Sequence, residues 1–202
     1  MLLIEIECLR GRNGEFVVKE LAIAGYDDND KTVRGQQSFM FTPPYPQNTL
    51  SREYERLNNW LIQNMHGIEW QHGLIPYPKL VEILRTAATR FNGHIYTKGS
   101  EKATFLSSLI GAVVHNLDDY GCPKFTTGNP FSSMGAFPPR STACIYKNHV
   151  TNDHCAQYKC IMYFEFLLMK GLMLKTSSPD EMFTNNPRIT CYERPMISKN
   201  SC

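Results

Sequence analysis

The chain opens on an apolar run into which polar residues enter only at intervals. Met1 to Cys8 is apolar with glutamates at two alternate positions, Glu5 and Glu7, and Glu15 to Ala24 is equally dense in Val, Ile and Leu. Short apolar runs rich in β-branched residues and bounded by turn signals predict strands. The turn-forming run Arg10-Gly11-Arg12-Asn13-Gly14 between them predicts a hairpin. A third strand is expected over Gln36 to Thr42, stopped by Pro43-Pro44, which has no N–H to continue a ladder. From Ser51 the period changes. An N-cap serine, Glu53 in the first turn, and Leu57, Trp60 and Leu61 on one face predict a helix. Tyr77 to Arg90 repeats helical spacing through Leu80, Ile83, Leu84 and Ala87. His94 to Thr97 reads as a short strand, Ser100 to Ile110 as a helix with Phe105, Leu106 and Leu109 inward, and Val113-Val114 as a strand toward Asn116. Tyr120 to Arg140, rich in Gly, Pro, Ser and Thr, is expected to be a long loop of the kind that compact domains use for function. Thr151-Asn152-Asp153 offers N-caps for a last helix, apolar almost all round and running nearly to Met169, with Gly171 closing it.

Composition adds limits. With 42% apolar residues in 202, the chain has material for one substantial core, expected over residues 1–174, with a loosely ordered tail over 175–202 where periodicity fades. A net charge of +2 is too small to draw nucleic acid by bulk electrostatics, so any basic surface has to be local. No apolar run approaches the length of a membrane span, and Met1-Leu2-Leu3-Ile4 runs straight into Glu5 and Glu7, unlike a signal peptide. The expected setting is therefore intracellular, cytoplasm or nucleus, with no membrane partner. Seven cysteines is an odd count, and four of them (Cys122, Cys144, Cys155, Cys160) fall in one stretch with His149 and His154. Soft ligands clustered in such a chain suggest metal chemistry or reduced core thiols rather than a disulfide framework.

The element order and several local words resemble the DEDD exonucleases, the proofreading type on an RNase H-like fold. Their first strand carries Asp-x-Glu; here it is Glu5-Ile6-Glu7. Their second strand has an Ile-Glu-Ile-Gly-like word, matched by Lys19-Glu20-Leu21-Ala22, and their His-Gly-Ile element by His66-Gly67-Ile68. Their second motif, Asn-x-x-Phe-Asp-x-x-Phe-Leu, is similar to Lys98 through Leu106, and their last, His-x-Ala-x-x-Asp-Ala, to His154, Ala156, Lys159 and Cys160. The resemblance spans roughly residues 1 to 172. It implies an α/β domain with a mixed sheet flanked by helices.

The departures carry as much information as the matches. Two-metal hydrolysis needs carboxylates to hold a pair of divalent ions about 4 Å apart. Lys102 and Lys159 stand where the two aspartates belong, and an ammonium repels a metal ion. Glu5, Glu7 and His154 are then vestigial positions, and conventional activity is expected to be lost. Maelstrom domains resemble DEDD exonucleases in the same way, without the acids and with a Glu-Cys-His-Cys zinc site. That resemblance implies a structural Zn2+ held by Glu20, Cys144, His149 and Cys155. The Cys-to-His gap here is longer than in that family, which leaves His154, Cys160 and Cys122 as alternative ligands. Lys98, Lys102 and Lys159 are expected to converge on the old catalytic cleft and meet phosphates. The implied function is a pseudoenzyme binding single-stranded RNA or DNA, RNA favoured, in a small-RNA, transposon or viral setting. The other readings are a nuclease cutting by different residues and a protein-interaction module.

Overall fold

The structure, a computed structural model, describes residues 1–27, 32–91, 93–124, 146, 149–150 and 154–170. Five strands, β1 (Leu2–Arg10), β2 (Phe16–Asp27), β3 (Thr32–Met40), β4 (Ile95–Thr97) and β5 (Val114–Asn116), form one sheet in the order β3-β2-β1-β4-β5. β2 pairs antiparallel with both β1 and β3, while β1, β4 and β5 run parallel. Four helices flank it: α1 (Arg52–Leu61), α2 (Lys79–Phe91), α3 (Ser100–Ile110) and α4 (Ala156–Met169). This is an α/β arrangement, a mixed sheet flanked by helices. No helix among the described residues is long and apolar enough to cross a membrane.

Strand β1 lies at the centre and is buried on both faces. Leu2, Ile4 and Ile6 pack with Leu21, Ile23 and Ile95 against Leu80 and Leu84 of α2 and Ala103 and Leu106 of α3. Leu3 packs on the opposite face with Ala22, Ala24 and Tyr96 under Ala156, Cys160, Tyr163, Phe164 and Leu167 of α4. The period of two therefore assigns Glu5 and Glu7 to the side that α4 covers.

Two corrections follow from unsatisfied backbone. β3 starts at Thr32, earlier than the apolar pattern indicates, because pairing with β2 continues through Arg34, Val33 and Thr32. The face of α1 expected to be buried is largely outside: Leu57 and Trp60 are 39% and 53% exposed. The buried residue is Asn58, whose amide accepts from the Arg10 N–H at 2.7 Å and donates to the Arg10 carbonyl at 2.8 Å. The polar end of β1 needs those partners, and meeting them turns Asn58 rather than Leu57 inward. The expected caps of α4 at 151–153, and the proposed tail over 175–202, lie outside the described residues.

Lys19 of β2 is fully buried and donates to three carbonyls, Phe41 at 2.9 Å, Trp70 at 2.7 Å and His72 at 2.5 Å. Its ammonium ties the segment after α1 to the end of β3. Burial pulls its pKa down to about 7, while the three acceptors match its three donors. Gly73, at φ 144°, lets this segment approach so closely that a Cβ there would stand 2.2 Å from the Phe41 backbone.

Candidate functional site

Two carboxylates two residues apart on a buried strand face would repel each other and lose their hydration. Here each has its own cation. Lys102, in the first turn of α3, pairs with Glu5, and Lys159, in the first turn of α4, pairs with Glu7 at 2.6 Å. Burial opposes ionisation of Glu7, but Lys159 and then Lys102 hold its carboxyl below the usual range. Burial likewise opposes charge on Lys102, and Glu5 and Glu7 outweigh it, raising its pKa. The second oxygen of Glu5, Oε2, is buried without a hydrogen-bond partner among the described residues.

The turn from β4 into α3 sets this geometry. Gly99, at φ 101°, reverses the chain, and its N–H donates to Asn116 Oδ1 at 2.8 Å. Lys98 just before it pairs with Asp118 and donates to the Cys122 carbonyl at 2.7 Å. The three lysines singled out in the sequence thus gather at the ends of parallel strands, each beside a carboxylate. Three ammonium groups and three carboxylates leave the crest formally neutral. Arg10 and Glu101 add a bidentate pair at 2.8 and 3.1 Å near its rim.

A second group lies across the hairpin. Glu20 of β2 is the register partner of Glu7 and is fully buried on the same face. It meets Cys155 and His149, and the ligand atoms of the three residues lie within 4.8 Å of one another. Glu20 Oε2 accepts from the Ala156 N–H at 2.8 Å. Cys155 Sγ stands 3.8 Å from Glu20 Oε1 and accepts from the Tyr158 N–H at 3.4 Å, at the start of α4. His149 Nδ1 lies 2.7 Å from the His66 carbonyl. A carbonyl only accepts, so Nδ1 carries the proton and Nε2 turns inward, 3.4 Å from Glu20 Oε2. That buried Nε2 makes no hydrogen bond among the described residues. Burial works against charge on His149, but Cys155 and Glu20 together pull its pKa up to about 10.

The donor set suits a metal ion. Bonds of about 2.0–2.3 Å in a tetrahedron place neighbouring ligand atoms about 3.3–3.7 Å apart, and the three here, all within 4.8 Å of one another, would draw in slightly on an ion. Fixing a ligand imidazole through a carbonyl on its other nitrogen is the usual outer-shell arrangement. Cys144 lies outside the described residues. Among the described residues the group does not include His154, Cys122 or Cys160. Cys160 instead donates to the Leu3 carbonyl at 3.8 Å within the α4 core, and Cys122 sits by the crest. Sequence reading placed His66 in the His-Gly-Ile word but gave it no part in the site; its carbonyl orients His149 and its ring lies near Glu7. Its ring Nδ1 accepts from the Ile68 N–H at 3.0 Å, and burial lowers its pKa to about 4.

No family model matches the chain, and no curated protein sequence matches it. Among solved structures it is similar to the nuclease domain of 3'hExo, a DEDDh family member, bound to rAMP, at 12% identity and TM-score 0.47, covering 88% of this chain and 95% of that one. It is also similar to a 3'-exonuclease described in 3'-end specific recognition of a histone mRNA stem-loop, at 12% identity and TM-score 0.47, covering 86% and 83%. A third is a full-length 3'-exonuclease, at 11% identity and TM-score 0.48, covering 92% and 91%.

Proposed function

We propose that the chain is a catalytically degenerate, Maelstrom-like relative of the DEDD exonucleases that binds single-stranded nucleic acid, RNA favoured, and carries a structural zinc. The observation that supports this most is the pairing of Lys102 with Glu5 and Lys159 with Glu7. A nuclease crest of four carboxylates repels phosphodiesters until divalent ions neutralise it. Here covalently attached ammonium groups supply that neutralisation, so a phosphate backbone can approach with no metal between. Lys98, Lys102 and Lys159 are the groups that would meet it. Because each already has a carboxylate, binding is expected to be weak and to fade as salt rises. Zn2+ is the ion that a Glu, His and Cys donor set suits best. Glu20, His149 and Cys155 would hold it, with Cys144 as the fourth ligand, and the ion would fasten the chain before α4 to the sheet. The setting inferred is a small-RNA, transposon or viral one, inside the cell.

Three measurements on the full chain test this. Metal analysis should find about one zinc per chain, lost with lower melting temperature in Cys155→Ser. Fluorescence anisotropy should detect single-stranded RNA at low salt, and Mg2+ or Mn2+ should not produce shortening of an end-labelled strand. Metal-dependent shortening abolished by Glu5→Gln would overturn the degenerate reading in favour of a nuclease. Absence of binding to any oligonucleotide at low salt would leave the protein-interaction module.

A further inference from the structure

The β4–β5 edge of the sheet carries a cluster that neither group above uses. His94 immediately precedes β4, its carbonyl fixed by the Leu2 N–H at 2.9 Å. His115 sits on β5 as the register partner of Tyr96. The Tyr96 ring lies 6.2 Å from the His94 ring and 5.4 Å from the His115 ring, and Tyr120 packs 5.7 Å from Tyr96 and 6.5 Å from His115. His94 is exposed and His115 half-buried. The result is two imidazoles on adjacent parallel strands, backed by tyrosines, with His94 Nδ1 and His115 Nε2 facing each other at 3.3 Å.

Two facing ring nitrogens need something positive between them, either a proton carried by one ring or a metal ion. A proton on either ring makes an N–H···N hydrogen bond across this separation. Two zinc bonds of about 2.0–2.1 Å at a tetrahedral angle instead place their nitrogens about 3.3–3.4 Å apart. The right angle of a square-planar Cu2+ site would bring them to about 2.8–2.9 Å with similar bond lengths. The 3.3 Å found here also fits two nitrogens of a tetrahedral ion. We infer that His94 and His115 form a second, solvent-facing site for a tetrahedral divalent transition ion, zinc foremost, bound through His94 Nδ1 and His115 Nε2 with water in the remaining positions. No third ligating side chain joins them among the described residues, so the ion is held loosely and exchanges. This distinguishes the site from the buried Glu20, His149 and Cys155 group, where the ion would belong to the fold.

The test uses the full chain as purified, with Zn2+ as the probe. Calorimetric titration should show one zinc site per chain that persists in Cys155→Ser, and the ring signals of His94 and His115 should shift together in 1H–15N spectra. His94→Gln and His115→Gln should each weaken this site by at least about tenfold with the melting temperature unchanged. Cys155→Ser, which targets the buried group, should leave it intact. His94 is exposed, so its replacement remains informative even if His115→Gln unsettles the β5 edge. Zinc isotherms unchanged in His94→Gln, or ring signals of both histidines unmoved while zinc binds, would overturn the proposal.

Discussion

Replacing Lys159 by Met tests whether the buried pairs, rather than burial alone, make this sheet face stable. The variant keeps the length and apolar stem of the side chain and removes only the ammonium, leaving Glu7 charged with its partner gone. Glu7 and Lys159 are 10% and 14% exposed and 2.6 Å apart. At an effective dielectric of about 20 their attraction is roughly 6 kcal/mol before desolvation is subtracted. Breaking such a buried pair costs about 3–5 kcal/mol, and Lys102 also acts on Glu7, which places the expected loss near 3. Glu7→Gln combined with Lys159→Met should recover much of it, since no buried charge is then left alone. Lys79 and Glu82 are a matched control, 2.7 Å apart but 56% and 64% exposed, where the same cycle should give less than about 1 kcal/mol. Urea unfolding followed by circular dichroism reads all these differences. A Lys159→Met loss no larger than that of Lys79→Met would refute the reasoning.

Lys102→Asp combined with Lys159→Asp should place four carboxylates around one crest and create affinity for Mn2+, seen as a metal-dependent rise in melting temperature that wild type lacks. Lys19→Met removes the shared donor of three buried carbonyls and should destabilise by at least about 2–3 kcal/mol, read by the same urea unfolding. His66 is neutral when folded, with its pKa lowered to about 4 from an ordinary 6.5. Between those values the unfolded chain binds the extra proton, so the stability present above pH 6.5 should fall by about 3 kcal/mol as pH drops through 4. His66→Gln should remove that part of the acid sensitivity, which unfolding midpoints across pH 4–7 would show.

Local periodicity is what made the fold legible. Alternation in Leu2 to Glu7 locates a strand buried on both faces, and the spacing of Leu80, Leu84 and Leu106 locates the helices that cover one of them. The lysines at 102 and 159 were visible as departures from a motif, but their partners were not, because an ion pair between residues 152 positions apart leaves no local trace. Glu20, His149 and Cys155 were readable as ligand types and meet in space. Lys19 and His66 stood in the quoted words without a role, because a lysine in a strand and a histidine after a helix look like surface residues until the backbone carbonyls around them are known. Trp60 and Leu57 misled because helical spacing reports which residues share a face, and not which face the neighbouring strand requires.

Glu7 and Glu20 are directly opposed on neighbouring strands, and both wait for groups carried by the beginning of α4. The hairpin that bears them is made first, and α4 leaves the ribosome some 130 residues after Glu20. Throughout that interval the future α4-facing side displays ionised carboxylates among Leu3, Ala22, Ala24 and Tyr26. The same charges that later meet Lys159 and the Ala156 N–H thus act, during synthesis, as gatekeepers that discourage the unfinished sheet from sticking to its neighbours. The cost is a late, long-range closing step, so folding should complete slowly and all at once when the helix arrives.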